Sequence, residues 1–252
     1  MYSPSIKAPS FNAGLKGRPL EREGERFRRY EGSSHPFGST PDEEGTNFSL
    51  FSANATAVQL LIFEKPNDPD PVCVIDLDPD RNRSFNIWHV FVANVLPGMG
   101  YGYRVDGPRE PWNGHRFDPG KVLVDPYSHG NTLERWSRGS ACVPGDNLHT
   151  SIRSVVVDLK DYDWEGDERL NREMADSVIY EVHVGGFTKD SSSGVQHPGT
   201  YVGLIEKIPY LKSLGVTAVE LLPCCSFDHT DVLKEHDGRK LVNYWGYSTM
   251  GY

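Results

Sequence analysis

The sequence lacks the features of several protein classes. No stretch approaches the roughly 18 consecutive apolar residues of a membrane-spanning helix. No apolar segment followed by a cleavage-type site stands near the start, so we expect neither a secreted nor a membrane protein. Basic residues are also too few for a nucleic-acid partner, because 26 Lys and Arg stand against 35 Asp and Glu, a formal net charge of −9.

Cysteine is scarce, and its spacing argues against two kinds of site. The cysteines are Cys73, Cys142, Cys224 and Cys225. They form no CxxC pair and no disulfide framework, so we expect reduced thiols.

Histidine and acidic residues crowd the segment 229–237, but they lack the helical i, i+4 spacing of a metal-binding face. We therefore predict no metal site and no cofactor.

The first half of the chain has the pattern of an antiparallel β-sandwich. After a stretch without periodicity, Phe48 and Leu50 alternate with polar residues, and short β-type runs follow at 58–64, 72–77, 85–95 and 101–106. Turns rich in Pro, Gly and Asp separate these runs, which is typical of an immunoglobulin-like sandwich. We predict an N-terminal arm at 1–33, a sandwich at 34–158 with no helix before residue 107, and a linker at 159–175.

The second half has the pattern of a parallel βαβ unit. Strands are predicted at 178–184 and 216–222, the second apolar enough to be buried on both faces of a sheet. Between them, Thr200 can cap a helix that Pro209 should bend and Gly215 should end. The segment 176–252 is far shorter than the roughly 250 residues of a complete barrel. We expect the first part of a (β/α)8 TIM barrel, incomplete in this chain, closing with a long functional loop from Pro223.

Three groups of motifs point to one family. They are YGYRVDGP at 101–108 with GHRFDPGK at 114–121 and LVDPY at 123–127, IYEVHVGGFT at 179–188, and VELLP at 219–223 with NYWGY at 243–247. From about residue 34 onward, the chain resembles the isoamylase-type glycogen and starch debranching enzymes of the alpha-amylase clan. The GHRFDP motif separates this branch from branching enzymes and favours it over trehalose-releasing hydrolases.

The resemblance implies a starch-binding-type sandwich followed by the opening of a catalytic barrel. The implied reaction is retaining hydrolysis of α-1,6 branch linkages in glycogen, amylopectin or limit dextrin, located in the cytoplasm, or in the plastid stroma of a plant. The implied partner is thus a branched α-glucan, with neither nucleic acid nor membrane involved. Two alternatives remain open, namely a non-catalytic α-glucan-binding module and a maltooligosyl trehalose-releasing hydrolase.

The resemblance assigns substrate-binding residues but no catalytic ones. In the family, the nucleophilic Asp and the acid Glu follow the fourth and fifth barrel strands, so neither role falls on this chain, and Glu181 and Glu220 are not substitutes. The chain alone is therefore expected to be inactive. Tyr247 matches an aromatic residue that stacks on a sugar ring, and Tyr244 and Trp245 are assigned to the same binding surface. The alternative is that these three rings only pack a loop.

Overall fold

A computed structural model of the chain describes residues 26–230, 232 and 234–250. These residues fall into two compact units, one reaching to Asp161 and the other running from Tyr162 to Met250. The strands of the first unit are, in chain order, β1 (Arg29–Tyr30), β2 (Gly38–Pro41), β3 (Gly45–Phe51), β4 (Ala57–Phe63), β5 (Cys73–Asp76), β6 (Arg83–Ser84), β7 (Ile87–Ala93), β8 (Gly100–Asp106), β9 (Arg109–Glu110), β10 (His115–Arg116), β11 (Gly130–Thr132) and β12 (Arg153–Val155). A short helix α1 (Arg138–Cys142) lies between the last two strands.

Two five-stranded sheets form the body of the first unit. One has the order β1-β7-β3-β2 with β6 added beside β7, and the other has the order β11-β12-β8-β4-β5. Their shared core contains Phe48 and Trp88 from the first sheet and Leu60 and Tyr101 from the second, all at most 1% exposed. The alternation of apolar residues along β3, β4 and β8 drives this packing, because successive side chains of a strand point to opposite faces. The predicted sandwich is confirmed.

The described end of the predicted arm belongs to this sandwich. Residues 1–25 lie outside the described part of the chain, but β1 pairs with β7 and Phe27 is buried in the core. The backbone of Ser33 makes two hydrogen bonds with the side chain of Asn47, of 2.8 and 2.9 Å, on β3. Such irregular contacts leave no hydrophobic period in the sequence, so the pattern alone could not reveal them.

The LVDPY motif contains a buried carboxylate. Asp125 is fully buried and accepts a 2.8 Å hydrogen bond from the hydroxyl of Tyr101 and another of 2.8 Å from the backbone N–H of Tyr127. Ser154 of β12 accepts from the Asp125 N–H, which ties the motif to the second sheet. Burial raises the pKa of Asp125 to about 6, against the lowering effect of these hydrogen bonds. The motif therefore stabilises the sandwich by hydrogen bonds to its second sheet.

The second unit contains a parallel strand pair linked through helices. Its elements are β13 (Ile179–Val182), α2 (Val184–Thr188), α3 (Tyr201–Glu206), α4 (Ile208–Ser213), β14 (Ala218–Leu221), β15 (Glu235–His236) and β16 (Arg239–Lys240). β13 and β14 pair in parallel with Val182 opposite Leu221, and Leu222 N donates to Val182 O at 2.9 Å. This agrees with the predicted βαβ order. The division into sandwich, linker and incomplete barrel stays a prediction.

The predicted helix between the two strands forms as two short helices. Thr200 caps α3 by accepting a 3.1 Å hydrogen bond from the N–H of Gly203. The helix is interrupted at Lys207, between α3 and α4. Pro209 lies in the first turn of α4, where its missing N–H costs no intrahelical hydrogen bond. Gly215 follows α4 at a φ of 81°. The cap, the bend and the end are all where the sequence predicted them.

Three details of the second unit differ from expectation. The first strand ends at Val182, and α2 follows at once because the side chain of His183 caps it. All four residues of β14 are exposed rather than buried on both faces, since β13 is its one strand neighbour among the described residues. The predicted structureless end contains the small hairpin β15–β16.

Candidate functional site

The carboxyl ends of β13 and β14 place two segments beside each other. His183 follows β13 directly, and the segment Leu222–Cys225 follows β14. Because the two strands are parallel, both segments leave the same edge of the pair, where ligand sites of α/β folds form. The loop containing Tyr244 and Trp245 lies against this edge, and the segments together line a cavity of about 170 Å³.

His183 organises the cavity wall. Its Nδ1 accepts a 2.8 Å hydrogen bond from the N–H of Gly186, and its Nε2 lies 2.9 Å from the carbonyl oxygen of Tyr244. A carbonyl oxygen can only accept a hydrogen bond, so Nε2 carries the hydrogen and donates this bond. Nδ1, which accepts from Gly186, carries none, so the ring is the Nε2–H tautomer. The same imidazole stacks on the ring of Tyr244, with centroids 4.6 Å apart. One side chain thus caps α2 and holds a loop 61 residues away.

Three aromatic groups meet at the cavity. The ring of Trp245 stands edge-on to both Tyr244 and His183, at centroid distances of 6.1 and 5.9 Å. Trp245 is 57% exposed and Tyr244 is 44% exposed, so each presents ring surface to solvent. The ammonium group of Lys189 lies 5.8 Å from the centre of the Tyr244 ring, within range of a cation–π interaction. Aromatic faces beside polar donors are suited to the alternating apolar and hydroxylated surfaces of a sugar.

Tyr247 belongs to the same turn but not to the cavity wall. The Asn243 side chain donates to the Tyr247 carbonyl at 2.5 Å and accepts from Gly246 N at 3.2 Å, closing the turn. The ring of Tyr247 is 55% exposed. The structure therefore brings two of the three predicted binding residues, Tyr244 and Trp245, into one cavity and leaves Tyr247 beside it.

Gly186 allows the rings to approach the helix. A Cβ at Gly186 would lie 2.9 Å from the hydroxyl oxygen of Tyr244, and one at Gly185 would lie 3.2 Å from the imidazole of His183. In this chain, the pair of glycines leaves room for Tyr244 to lie close to the backbone of α2.

The sequence did not reveal four other residues of the site. His183, Tyr201, Cys224 and Cys225 all line the cavity. Burial raises the pKa of Tyr201, and the two neighbouring cysteines raise it further. The sequence offered one indication of three of these residues, namely their position. His183 lies at the end of the first predicted parallel strand, and both cysteines follow the second. Glu181 and Glu220 lie opposite each other within that strand pair and not at its carboxyl edge.

The described residues contain neither a cluster of metal ligands nor a membrane-spanning helix. No three His, Cys, Asp or Glu side chains there lie close enough to hold a metal ion; residues 231 and 233 of the crowded segment fall outside that part. No described helix is long and apolar enough to cross a membrane.

The comparison with known families identifies the sandwich. The model of carbohydrate-binding module 48, the isoamylase N-terminal domain, matches residues 36–128. Residues 36–128 are therefore similar to the isoamylase N-terminal domain. This segment contains most of both sheets and all three motifs of the YGYRVDGP group, and the predicted resemblance is confirmed.

Curated relatives extend the similarity beyond this domain. Isoamylase 1, chloroplastic, from Arabidopsis thaliana is 37% identical over 246 residues, which cover 96% of this chain and 31% of the relative. The glycogen debranching enzyme of Klebsiella pneumoniae subsp. pneumoniae is 39% identical over 233 residues, which cover 88% of this chain and 33% of the relative. The chain thus spans about a third of the length of these relatives.

Solved structures show a likeness of fold. The apo pullulanase from Paenibacillus barengoltzii matches with a TM-score of 0.62 at 23% identity, covering 87% of this chain and 31% of that chain. The pullulanase SAP of group B Streptococcus matches with a TM-score of 0.59 at 24% identity, covering 80% of this chain and 26% of that chain. At this level of identity the match concerns the fold alone.

Proposed function

We propose that the chain is the N-terminal portion of a glycoside hydrolase that cleaves α-1,6 branch linkages in glycogen or amylopectin. The observation that carries this proposal is the identity of 37–39% over most of the chain to an isoamylase and a glycogen debranching enzyme. The isoamylase N-terminal domain and the aromatic cavity beside the parallel strands support the same function. A cytoplasmic or plastid location fits this proposal.

The chemistry would be retaining hydrolysis by two carboxyl groups about 5–5.5 Å apart, one a nucleophile and the other a general acid. We infer that the second unit contains the first elements of a (β/α)8 barrel, namely β13, α2–α4 and β14. The reacting groups of this barrel would lie at the carboxyl ends of later strands. No residue of this chain is assigned to either role. The contribution of this chain is to bind and orient the glucan.

Tyr244, Trp245 and Tyr247 are proposed as the glucan-binding surface. Tyr244 and Trp245 present half-exposed rings that His183 holds in place, so a sugar face can pack on them without reordering the loop. Such preorganisation improves affinity because less side-chain freedom is lost on binding.

Calorimetric titration of residues 1–252 with maltoheptaose tests this surface. We expect about tenfold weaker affinity in Trp245→Ala, since losing roughly 1–2 kcal/mol of apolar contact corresponds to about that factor. Trp164→Ala is the matched control, because Trp164 is 66% exposed in the same unit and also packs edge-on against a tyrosine, Tyr162. Unchanged affinity in Trp245→Ala, or an equal loss in Trp164→Ala, would contradict the proposal. A lowered thermal midpoint with unchanged affinity would favour loop packing.

A non-catalytic glucan-binding role is the second candidate. The match of residues 36–128 to a carbohydrate-binding module favours it. Both candidates require glucan binding, and they differ in whether the polypeptide that contains this chain also hydrolyses branches.

A further inference from the structure

Two adjacent cysteines lie in the wall of the aromatic cavity. Cys224 and Cys225 follow β14 by three and four residues, and both line the cavity together with Tyr201 and Trp245. Neither takes part in a disulfide; Cys224 is exposed and Cys225 is partly buried. Thiols in this position are open to reagents that enter the cavity from solvent.

The proposed glucan-binding function has no need for a thiol at this place. A thiol is a weak hydrogen-bond donor and adds little to a sugar site made of aromatic rings and ordinary polar groups. Its distinctive property is chemical, because a thiolate attacks the sulfur of a disulfide and forms a mixed disulfide. Cys224 forms part of the wall of a cavity of about 170 Å³, so a group attached there can compete with a ligand for this small space.

We propose that Cys224 is a site of reversible thiol–disulfide exchange with low-molecular-weight disulfides, and that the adduct closes the cavity to glucan. The closing effect rests on the proposed function. In the exchange, the Cys224 thiolate attacks one sulfur of the small disulfide, whose S–S bond breaks as the new S–S bond forms. The departing thiolate takes up the proton that Cys224 released, so Cys224 is oxidised and half of the reagent is reduced. A free thiol reverses the step.

The chain contains its own controls. Cys142 is exposed at the end of α1, in the first unit, and Cys73 is partly buried in β5 of the same unit. Exposure alone predicts that Cys142 reacts at least as readily as Cys224. Only Cys224 and Cys225 line the aromatic cavity, so only their modification should affect a ligand there.

The test uses residues 1–252 and oxidised glutathione. Mass spectrometry of peptides identifies which cysteines carry the adduct, and titration with maltoheptaose measures affinity before treatment, after treatment and after reduction with dithiothreitol. We expect an adduct at Cys224, an affinity at least tenfold weaker than before treatment, and full recovery on reduction. Each variant is compared with itself before and after treatment. Cys224→Ser should lose this sensitivity, whereas Cys142→Ser should keep it.

Several results would overturn the inference. An adduct at Cys224 without loss of affinity would show that the cavity tolerates it, and a loss that persists in Cys224→Ser would place the effect elsewhere. Modification of Cys142 without any at Cys224 would exclude exchange at this site. If the untreated chain binds no maltoheptaose, the proposed function fails instead, and the mass measurement still decides whether Cys224 exchanges.

Discussion

The imidazole of His183 and the phenol ring of Tyr244 lie parallel, 4.6 Å apart between centroids and with 9° between their planes. The contact joins the carboxyl end of β13 to the loop that contains the proposed glucan-binding rings. Because both imidazole nitrogens are also hydrogen-bonded, the ring cannot turn without breaking a contact. His183 is therefore a positioning residue for the aromatic surface.

Replacing His183 should weaken glucan binding without touching the binding rings themselves. In His183→Ala, Tyr244 loses its stacking partner and its carbonyl loses a donor, which together cost roughly 1–2 kcal/mol. We expect about 5–30-fold weaker affinity for maltoheptaose by calorimetry. His197→Ala is the matched control, since His197 lies in the same unit and pairs with Glu206 instead. Equal affinities in the two variants would contradict the positioning role.

The buried carboxyl of Asp125 should make the stability of the sandwich depend on pH. Its pKa is raised to about 6 in the folded state, above the ordinary value of 3.8, so the folded chain binds more protons between these values. Stability from this group is fully present below pH 3.8 and is lost as the pH rises through 6. Raising the pKa from 3.8 to about 6 corresponds to a loss of roughly 3 kcal/mol in the free energy of unfolding above pH 6.

Asp125→Asn should remove this dependence, because the neutral amide can accept from the Tyr127 N–H through Oδ1 and donate to the Tyr101 hydroxyl oxygen through Nδ2. Urea unfolding of the sandwich across pH 4 to 7 measures it, with the free energy of unfolding of the variant minus that of the parent as the readout. We expect this difference to grow with pH by about 3 kcal/mol. A difference that stays constant over this range would show that Asp125 titrates normally.

Gly203 in α3 should resist replacement although alanine is the better helix former. A Cβ there would lie 2.2 Å from the carbonyl oxygen of His197, a backbone atom that cannot turn away. We expect Gly203→Ala to lose about 1–3 kcal/mol to this overlap, more than the roughly 1 kcal/mol of helix propensity gained. Hydrogen exchange of the amides at 200–215 measures the opening of the helices.

Gly194→Ala is the control for the Gly203 prediction. Gly194 has a φ of 65°, and its added Cβ would meet open space, so only the backbone conformation is penalised, by about 1–2 kcal/mol. Exchange at 200–215 should stay unchanged in this variant. Unchanged exchange in Gly203→Ala as well would contradict the predicted overlap.

Residues 1–252 alone should release no reducing ends from glycogen or amylopectin. The proposed mechanism needs two carboxyl groups that are assigned to no residue here, and Glu181 and Glu220 are both exposed on their strands. A reducing-sugar assay against a heat-treated sample and an active debranching relative measures this. Release above the heat-treated sample would direct attention to Glu181 and Glu220.

Part of the candidate site could be predicted from the sequence, and part could not. The motif NYWGY at 243–247 identified the aromatic residues, and two of them do line the cavity. The sequence could not identify His183 as their support, since the contact joins residues 61 positions apart. Nor could it place Cys224 beside Tyr244, because that depends on the register of two parallel strands.

The sequence by itself determined the features that follow from local rules. Alternating apolar residues specified the strands of the sandwich, Thr200 and Pro209 indicated where the helices begin and break, and the motifs indicated the resemblance to isoamylase-type enzymes. The tertiary structure alone decided that residues 29–33 pack on the sandwich, that Asp125 is buried, and that His183 stacks on Tyr244. Backbone preferences and side-chain periodicity act over a few residues, whereas these contacts arise only when distant segments are brought together and lose their water.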